Sequence, residues 1–174
     1  MSMFKNLLII ASQIYHKSDE ALVRIATFLS NTITIYPFHM PNSYFATIKG
    51  YLLELGFDIC HANEQEGVFV VDKPELAIKN LVIGCGDPLL ILEQYLLDLP
   101  APSLEVYQRL LQKNRDIIHG AFALDETGRK LIFRDTLQID TLGLAELDAC
   151  VNSLGLLLSE FSDELIQFSK PPTT

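Results

Sequence analysis

Three patterns in the sequence predict an α+β fold in which helices pack on an antiparallel β-sheet. A helical period of apolar residues begins near Tyr44, short segments rich in Val, Ile and Phe follow it, and a long apolar heptad stripe lies near the end of the chain. The chain has 174 residues, of which 49% are hydrophobic, so it is long enough to bury a core of its own. We therefore expect one folded domain.

The first helix of this domain is predicted to begin at Asn42 or Ser43, since either side chain would be a good N-cap, and to end at Gly56. Short β-branched and aromatic runs separated by polar turns predict three strands after it, which would form an antiparallel meander. The three strands are expected at Phe57–His61, Gly67–Asp72 and Leu81–Cys85.

The segment Pro88–Leu97 is predicted to be a helix that is apolar nearly all round. Such a helix must bury two surfaces, so it needs a second partner besides the sheet. That partner is either another helix of the same chain or a separate subunit or client. If it is a second copy of the chain, we expect Ile91, Tyr95 and Leu99 at the interface between the copies.

The remaining elements complete the predicted order α-β-β-β-α-α-β-β-α. A helix at Leu104–Lys113 is capped by Ser103 and has Val106, Tyr107, Leu110 and Leu111 as its apolar positions. A hairpin over residues 120–133 follows, and the longest helix begins at Asp140 or Thr141. The heptad stripe of that helix, from Leu144 to Phe168, favours packing across the sheet over pairing as a coiled coil, because Gly143 and Gly155 suit a coiled coil poorly.

Charge divides the chain into an N-terminal appendage and the domain. All the excess negative charge falls after position 39, and the pattern of residues 1–39 does not continue clearly into the segment after Pro37. We expect a short helix at Asp19–Leu29 and a strand at Thr32–Tyr36 within the appendage, a single domain over residues 40–170, and a loose tail at 171–174.

The composition excludes several classes of function. A net charge of -9, from 22 acidic and 13 basic residues, argues against nucleic acid as a partner and favours protein. No apolar run is long enough for a membrane span, and three widely spaced cysteines argue against a disulfide framework, which indicates a reducing cytoplasm. The four histidines have no metal-ligand spacing and no catalytic motif occurs, so we expect no metal, no cofactor and no enzymatic activity.

Two glycine-containing turns are candidates for ligand loops. Gly84-Cys85-Gly86-Asp87 lacks the third glycine of a dinucleotide loop, and Asp87 would place a carboxylate where the phosphate must lie. A small-ligand sensor or a minor enzyme with a pocket near Gly84–Asp87 stays open as the alternative function. The turn at Asp125–Gly128 lacks the carboxylate spacing of a calcium loop and is predicted to be a plain hairpin turn.

One motif links the chain to a known family. Leu110-Leu111-Gln112-Lys113-Asn114, followed by Phe122-Ala123-Leu124-Asp125 and Gly128, resembles a segment of the YbjN-like proteins, which are described as sensory transduction regulators of bacteria and share a fold with type III secretion chaperones. The resemblance extends from about Tyr44 to Lys170 and does not include residues 1–39. It implies an acidic α+β domain that forms homodimers and acts as a non-enzymatic chaperone-like, adaptor or regulatory module for another polypeptide.

Overall fold

The computed structural model describes residues 42–101 and 103–170. The predicted appendage, with its expected helix and strand, and the predicted tail lie outside these residues. Three α-helices, six strands and a short 3-10 helix at Pro74–Leu76 make up the described part. The helices are α1 (Asn42–Glu54), α2 (Leu104–Asn114) and α3 (Leu144–Phe168); the strands are β1 (Asp58–Asn63), β2 (Val68–Lys73), β3 (Ile78–Gly86), β4 (Leu89–Asp98), β5 (Ala121–Leu124) and β6 (Lys130–Gln138).

The six strands form a single antiparallel sheet in the order β1-β2-β3-β4-β6-β5. The first four strands follow one another as a meander. The hairpin of β5 and β6 then joins the sheet through β6, which pairs with β4 over the whole length of β4. Among the described strands, β1 and β5 are therefore the two edges.

The hydrophobic core lies between one face of the sheet and the helices. Phe45 of α1 stacks on Phe69 of β2 with ring centroids 4.1 Å apart. The long helix α3 contributes a run of buried residues to the same cluster, and Leu147 and Leu154 are almost fully buried. Helix α3 thus packs on the sheet, as predicted from its heptad stripe.

The predicted α+β class and antiparallel sheet are confirmed. The predicted meander corresponds to β1, β2 and β3, and the hairpin to β5 and β6. Gly56 ends α1 in the left-handed region with φ of 75°, where its amide donates to the Leu53 carbonyl and the next amide, of Phe57, donates to Leu52. The last helix begins at Leu144, a few residues later than expected.

The helix predicted at Pro88–Leu97 is wrong, because this segment forms strand β4. Asp87 and Pro88 make the tight connection between β3 and β4, so the chain turns back into the sheet there. Leu90 and Leu92 belong to the core, while Ile91 and Glu93, which point to the other face, are only 9% and 3% exposed. A strand buried on both faces has no alternating pattern, and its continuous apolar run is easily mistaken for a buried helix. The observed order is therefore α-β-β-β-β-α-β-β-α.

Gly120 allows the chain to enter β5 close to β6. Its φ is 75°, and a Cβ atom added there would lie 2.3 Å from Cζ of the buried Phe133 ring. The site therefore excludes a side chain on two grounds, backbone strain and overlap.

We expect Gly120→Ala to lower the free energy of unfolding by about 2 kcal/mol, because strain and overpacking add. Gly50, in the middle of α1, has no atom within 4 Å of such a Cβ. Gly50→Ala should therefore raise the free energy of unfolding by about 0.5–1 kcal/mol through helix propensity alone. Urea denaturation followed by circular dichroism measures both changes, and a Gly120→Ala protein as stable as the wild type would contradict the packing described for Phe133.

Candidate functional site

The two edges of the sheet differ in whether their backbone groups are already bonded. On β5, the Asn114 side chain occupies the outward-facing groups of Phe122. Its Oδ1 accepts from the Phe122 amide at 2.7 Å, and its Nδ2 donates to the Phe122 carbonyl at 3.0 Å. An amide side chain thus takes the place of a neighbouring strand, so the β5 edge is closed at its centre.

Helix α2 brings Asn114 to this position. Ser103 caps the helix by accepting from the Val106 amide at 3.3 Å, and Leu110 is buried in the core. The Tyr107 hydroxyl also donates to the carbonyl of Gly128 in the β5–β6 turn at 2.9 Å. Tyr107 and Asn114 therefore hold the hairpin, and Leu110 anchors the helix in the core.

The β1 edge has no such closure within the described ranges. The Cys85 amide donates to the Gly67 carbonyl, so the backbone amide and carbonyl of Gly67 point towards β3. Those groups alternate in direction along a strand, so the backbone groups of the next residue, Val68, point towards β1. Asn63 is the register partner of Val68, so its backbone groups point towards β2. The backbone amide and carbonyl of Ala62, the residue before it, therefore point away from the sheet. Strand β1 has six residues, and no described strand pairs with its outer side.

The turn at Asp125 is structural. The Asp125 carboxylate accepts from the amides of Arg129 at 3.0 Å and Lys130 at 2.9 Å, and from the Thr127 hydroxyl at 2.9 Å. Burial raises the pKa of this carboxyl, but these hydrogen bonds, that from the Lys130 amide first among them, outweigh it and lower the pKa. The carboxylate is therefore committed to the turn, as the hairpin interpretation predicts.

A third feature is an exposed apolar stripe on α2. Leu104 is 73% exposed and Leu111 is 70% exposed, and the two lie on one side of the helix because they are two turns apart. Ile118, seven residues further along, is 87% exposed in the loop after the helix. We call these three residues the α2 stripe. The sequence placed Leu111 among the apolar positions of this helix but could not show that its side chain faces outward.

None of the three predicted interface residues belongs to the α2 stripe. Ile91 and Tyr95 lie in β4, where Ile91 is buried and Tyr95 is half-buried. Leu99 follows β4 and is only 2% exposed, and its amide donates to the Arg129 carbonyl. Their selection depended on a helix that does not exist, so their role at an interface stays a prediction.

The alternative pocket near Gly84–Asp87 gains no support. Gly84 and Gly86 are part of β3, and Asp87 lies in the tight turn to β4. Cys85 is fully buried, and burial raises the pKa of its thiol to about 12, so the sulfur would be a poor nucleophile at neutral pH.

Residues 42–101 and 103–170 contain no group of three or more His, Cys, Asp or Glu side chains that could hold a metal ion. None of the helices in these ranges combines the length and hydropathy that crossing a bilayer requires. Cys60, Cys85 and Cys150 are all free thiols.

These features define a protein of the type III secretion chaperone-like fold. The sequence profile of CesT_Tir_1, a type III chaperone family, matches residues 41–171, and the chain belongs to this family. A sequence comparison with curated proteins found no significant match.

Solved structures share the fold at low sequence identity. YbjN from E. coli superposes with a TM-score of 0.55 and 13% identity, over 72% of this chain and 95% of the other. The heterodimeric ExoU–SpcU complex of the Pseudomonas aeruginosa type III secretion system includes a chain that matches with a TM-score of 0.54 and 19% identity, over 72% and 99%. A chain of the HopA1–SchA chaperone–effector complex matches with a TM-score of 0.51 and 12% identity, over 78% and 100%. The predicted resemblance to YbjN-like and chaperone proteins is confirmed.

The Asp125 turn makes the stability of the fold depend on pH. The folded-state pKa of Asp125 is lowered, so its contribution is fully present above the unfolded-state value of about 3.9 and is lost as pH falls through the folded value. We expect Asp125→Asn to lower the free energy of unfolding at pH 7 by about 1 kcal/mol. The difference from wild type should shrink in acid, as measured by urea denaturation between pH 7 and pH 2.

Glu126→Gln is the matched control, because it removes one charge from the same turn without removing any of these hydrogen bonds. A difference between Asp125→Asn and wild type that stays constant down to the lowest pH would contradict the account of the turn.

Proposed function

We propose that this protein is a non-enzymatic, chaperone-like adaptor or regulatory module that binds another polypeptide by adding a segment of it to the open edge of β1. The observation that carries the proposal is the difference between the two sheet edges: Asn114 closes β5, and β1 has no described neighbour on its outer side. Membership of a type III chaperone family supports a protein partner, as do similar chains found in complexes with effectors.

An open edge strand offers a row of amide and carbonyl groups that an extended peptide satisfies with its own backbone. Main-chain hydrogen bonds supply affinity for any extended segment, and the side chains of β1 add selectivity. The burial of β1 alternates, with Ile59 and His61 half-buried and Cys60 and Ala62 exposed, so an added strand would meet both apolar and polar surroundings.

Other features agree with a polypeptide partner in the cytoplasm. The net charge of -9 disfavours nucleic acid as a partner. Cys60 is an exposed free thiol, which suits a reducing compartment.

We expect Ala62→Pro to weaken partner binding at least about tenfold, because proline removes the outward amide and projects its ring into the space of the added strand. The domain should remain folded, since that amide is not bonded to β2. The measurement is isothermal titration calorimetry with the polypeptide that co-purifies with the wild-type protein, identified by mass spectrometry and made synthetically.

Ala62→Val is the matched control, because it adds a β-branched side chain and keeps the amide; it should bind within about twofold of wild type. Unchanged affinity in a folded Ala62→Pro protein would sink the proposal that β1 is the binding edge.

The protein also forms a homodimer in this proposal, through the α2 stripe. Each of its three apolar side chains is mostly exposed, and burying a leucine or isoleucine side chain fully contributes about 1.5–3 kcal/mol. Leu111 is the middle residue of the stripe. A two-fold axis near Leu111 would bring the exposed leucines of the two α2 helices together.

Light scattering coupled to size-exclusion chromatography tests this arrangement. The wild type should be a dimer, and Leu111→Asp should give a folded monomer because two carboxylates would meet at the axis. Leu53→Asp, which alters another exposed leucine on α1, is the control and should remain a dimer. If Tyr95→Asp dissociates the dimer while Leu111→Asp leaves it intact, the interface lies at Ile91, Tyr95 and Leu99, as the sequence predicts. A monomeric wild-type protein would exclude both interfaces.

A further inference from the structure

The outer side of strand β5 consists of only two residues. The strand has four residues, and the backbone groups of successive residues point alternately towards β6 and away from it. Phe122 points away, because its amide and carbonyl both bond to the Asn114 side chain, so Leu124 points away as well. In the described part of the chain, the backbone groups of Leu124 form no hydrogen bond. Asn114 therefore fills one of the two residues that could receive a strand.

Filling one of these two residues is enough to disable the edge. A peptide added to β5 would find only the amide and the carbonyl of Leu124. Each residue of such a peptide loses backbone entropy when it is ordered as a strand, and two hydrogen bonds at the edge of a sheet do not offset that loss. With Phe122 also free, the peptide would form twice as many bonds.

The side chain of Asn114 is suited to imitate a neighbouring strand. A carboxamide carries an acceptor and a donor on one carbon, so it can serve the amide and the carbonyl of a single residue, as a strand residue does. Its Oδ1 and Nδ2 lie 2.7 and 3.0 Å from the two groups of Phe122. An aspartate would offer acceptors alone at neutral pH, and a serine is too short to reach both groups.

Helix α3 holds the chain between Asn114 and β5 in place. The Ser153 hydroxyl accepts from the His119 amide at 3.3 Å and donates to the His119 carbonyl at 3.2 Å. His119 lies three residues before Phe122, so this contact fixes the backbone where it approaches β5. The entry to β5 is therefore held independently of Asn114.

Helix α3 also holds the end of α2. The Glu164 carboxylate pairs with Lys113, the residue before Asn114, at 3.2 Å. The Lys113 ammonium lies 4.3 Å from the centre of the Phe161 ring, and that ring lies 6.2 Å from the ring of Phe122. Both sides of the contact between Asn114 and Phe122 therefore rest on α3.

A contact held in this way competes strongly with a strand from solution. Asn114 and Phe122 are eight residues apart in the chain, and groups joined by a short flexible segment meet at an effective concentration of about a millimolar. For equal contacts, a polypeptide at micromolar concentration is therefore outcompeted at Phe122 roughly a thousandfold.

We infer that Asn114 determines the stoichiometry of binding: it limits each chain to one added strand, and its removal creates a second strand-accepting edge at β5. The inference rests on the proposed function, in which the one strand is added at β1. It gives a physical role to the last residue of the motif Leu110–Asn114, on which the resemblance to the YbjN-like proteins depends.

A generic strand-forming peptide tests both edges in one experiment. A blocked peptide of alternating threonine and valine is titrated into the ¹⁵N-labelled full-length protein and followed by two-dimensional amide NMR spectra. In the wild type, saturable shifts are expected at Ala62 and its neighbours in β1 and not at β5. In Asn114→Ala, a second saturable set is expected at Phe122 and Leu124. The Phe122 amide of the free variant should also exchange about tenfold faster, the size that the loss of one hydrogen bond supports.

Three controls accompany this titration. Gln108→Ala removes a carboxamide from an exposed position of the same helix and should give the shifts of the wild type. The same peptide with proline at its central position lacks a donor and should weaken both sets of shifts. Asn114→Ser repeats the test if Asn114→Ala does not fold, because its side chain is too short to reach both groups of Phe122.

A folded Asn114→Ala protein without shifts at β5, or a wild type that already shows them, would overturn the inference. The two claims fail separately. If both proteins shift at β1 and the variant gains nothing at β5, only the role of Asn114 is lost. If the variant shifts at β5 and neither protein shifts at β1, the role of Asn114 stands and the proposal for β1 is lost.

Discussion

The pairing of β4 with β6 is the constraint on which the rest of the structure depends. It joins the meander β1–β4 to the β5–β6 hairpin over nine register pairs, from Leu89 with Gln138 to Asp98 with Lys130. Glu93 and Arg134 are direct partners in this register and form an ion pair on the face opposite the core. A slip by one residue would separate them and turn the core residues of β4 to the other face. This register therefore also fixes where the hairpin, and with it the β5 edge, must lie.

Helix α2 connects the two halves of the sheet and has two roles. Its last residue, Asn114, closes the β5 edge, and its exposed side carries Leu104 and Leu111 of the α2 stripe. Because bonded backbone groups cannot accept a strand, the closure of β5 at Phe122 makes β1 the edge of the described sheet at which we propose strand addition. Strand β1, which we propose receives the partner, and the α2 stripe, which we propose meets a second copy, share no residue.

Much of the fold was predictable because its signals are local. Capping at Ser103, the glycine at position 56 and the chemistry of the Asp125 turn act within a few residues, and the elements they bound were predicted correctly. Strand β4 was predicted wrongly. It pairs with a strand on each side and is buried on both faces, so its sequence is a continuous apolar run without the alternation that distinguishes a strand from a helix. The motif Leu110–Asn114 resembles a segment of the YbjN-like proteins, but the sequence does not show that Asn114 bonds to the backbone of Phe122. Only the structure shows that contact. For the same reason the sequence predicted the family of the protein but not the contact that closes the β5 edge.

Amide hydrogen exchange at single-residue resolution tests the difference between the two edges most directly. In the free protein, the Phe122 amide should be protected by Asn114, whereas the Ala62 amide should exchange rapidly. Addition of the bound polypeptide should protect Ala62 and leave Phe122 unchanged. Protection that appears on β5, or an Ala62 amide whose exchange does not respond to the partner, would contradict the assignment of β1 as the edge that receives the polypeptide.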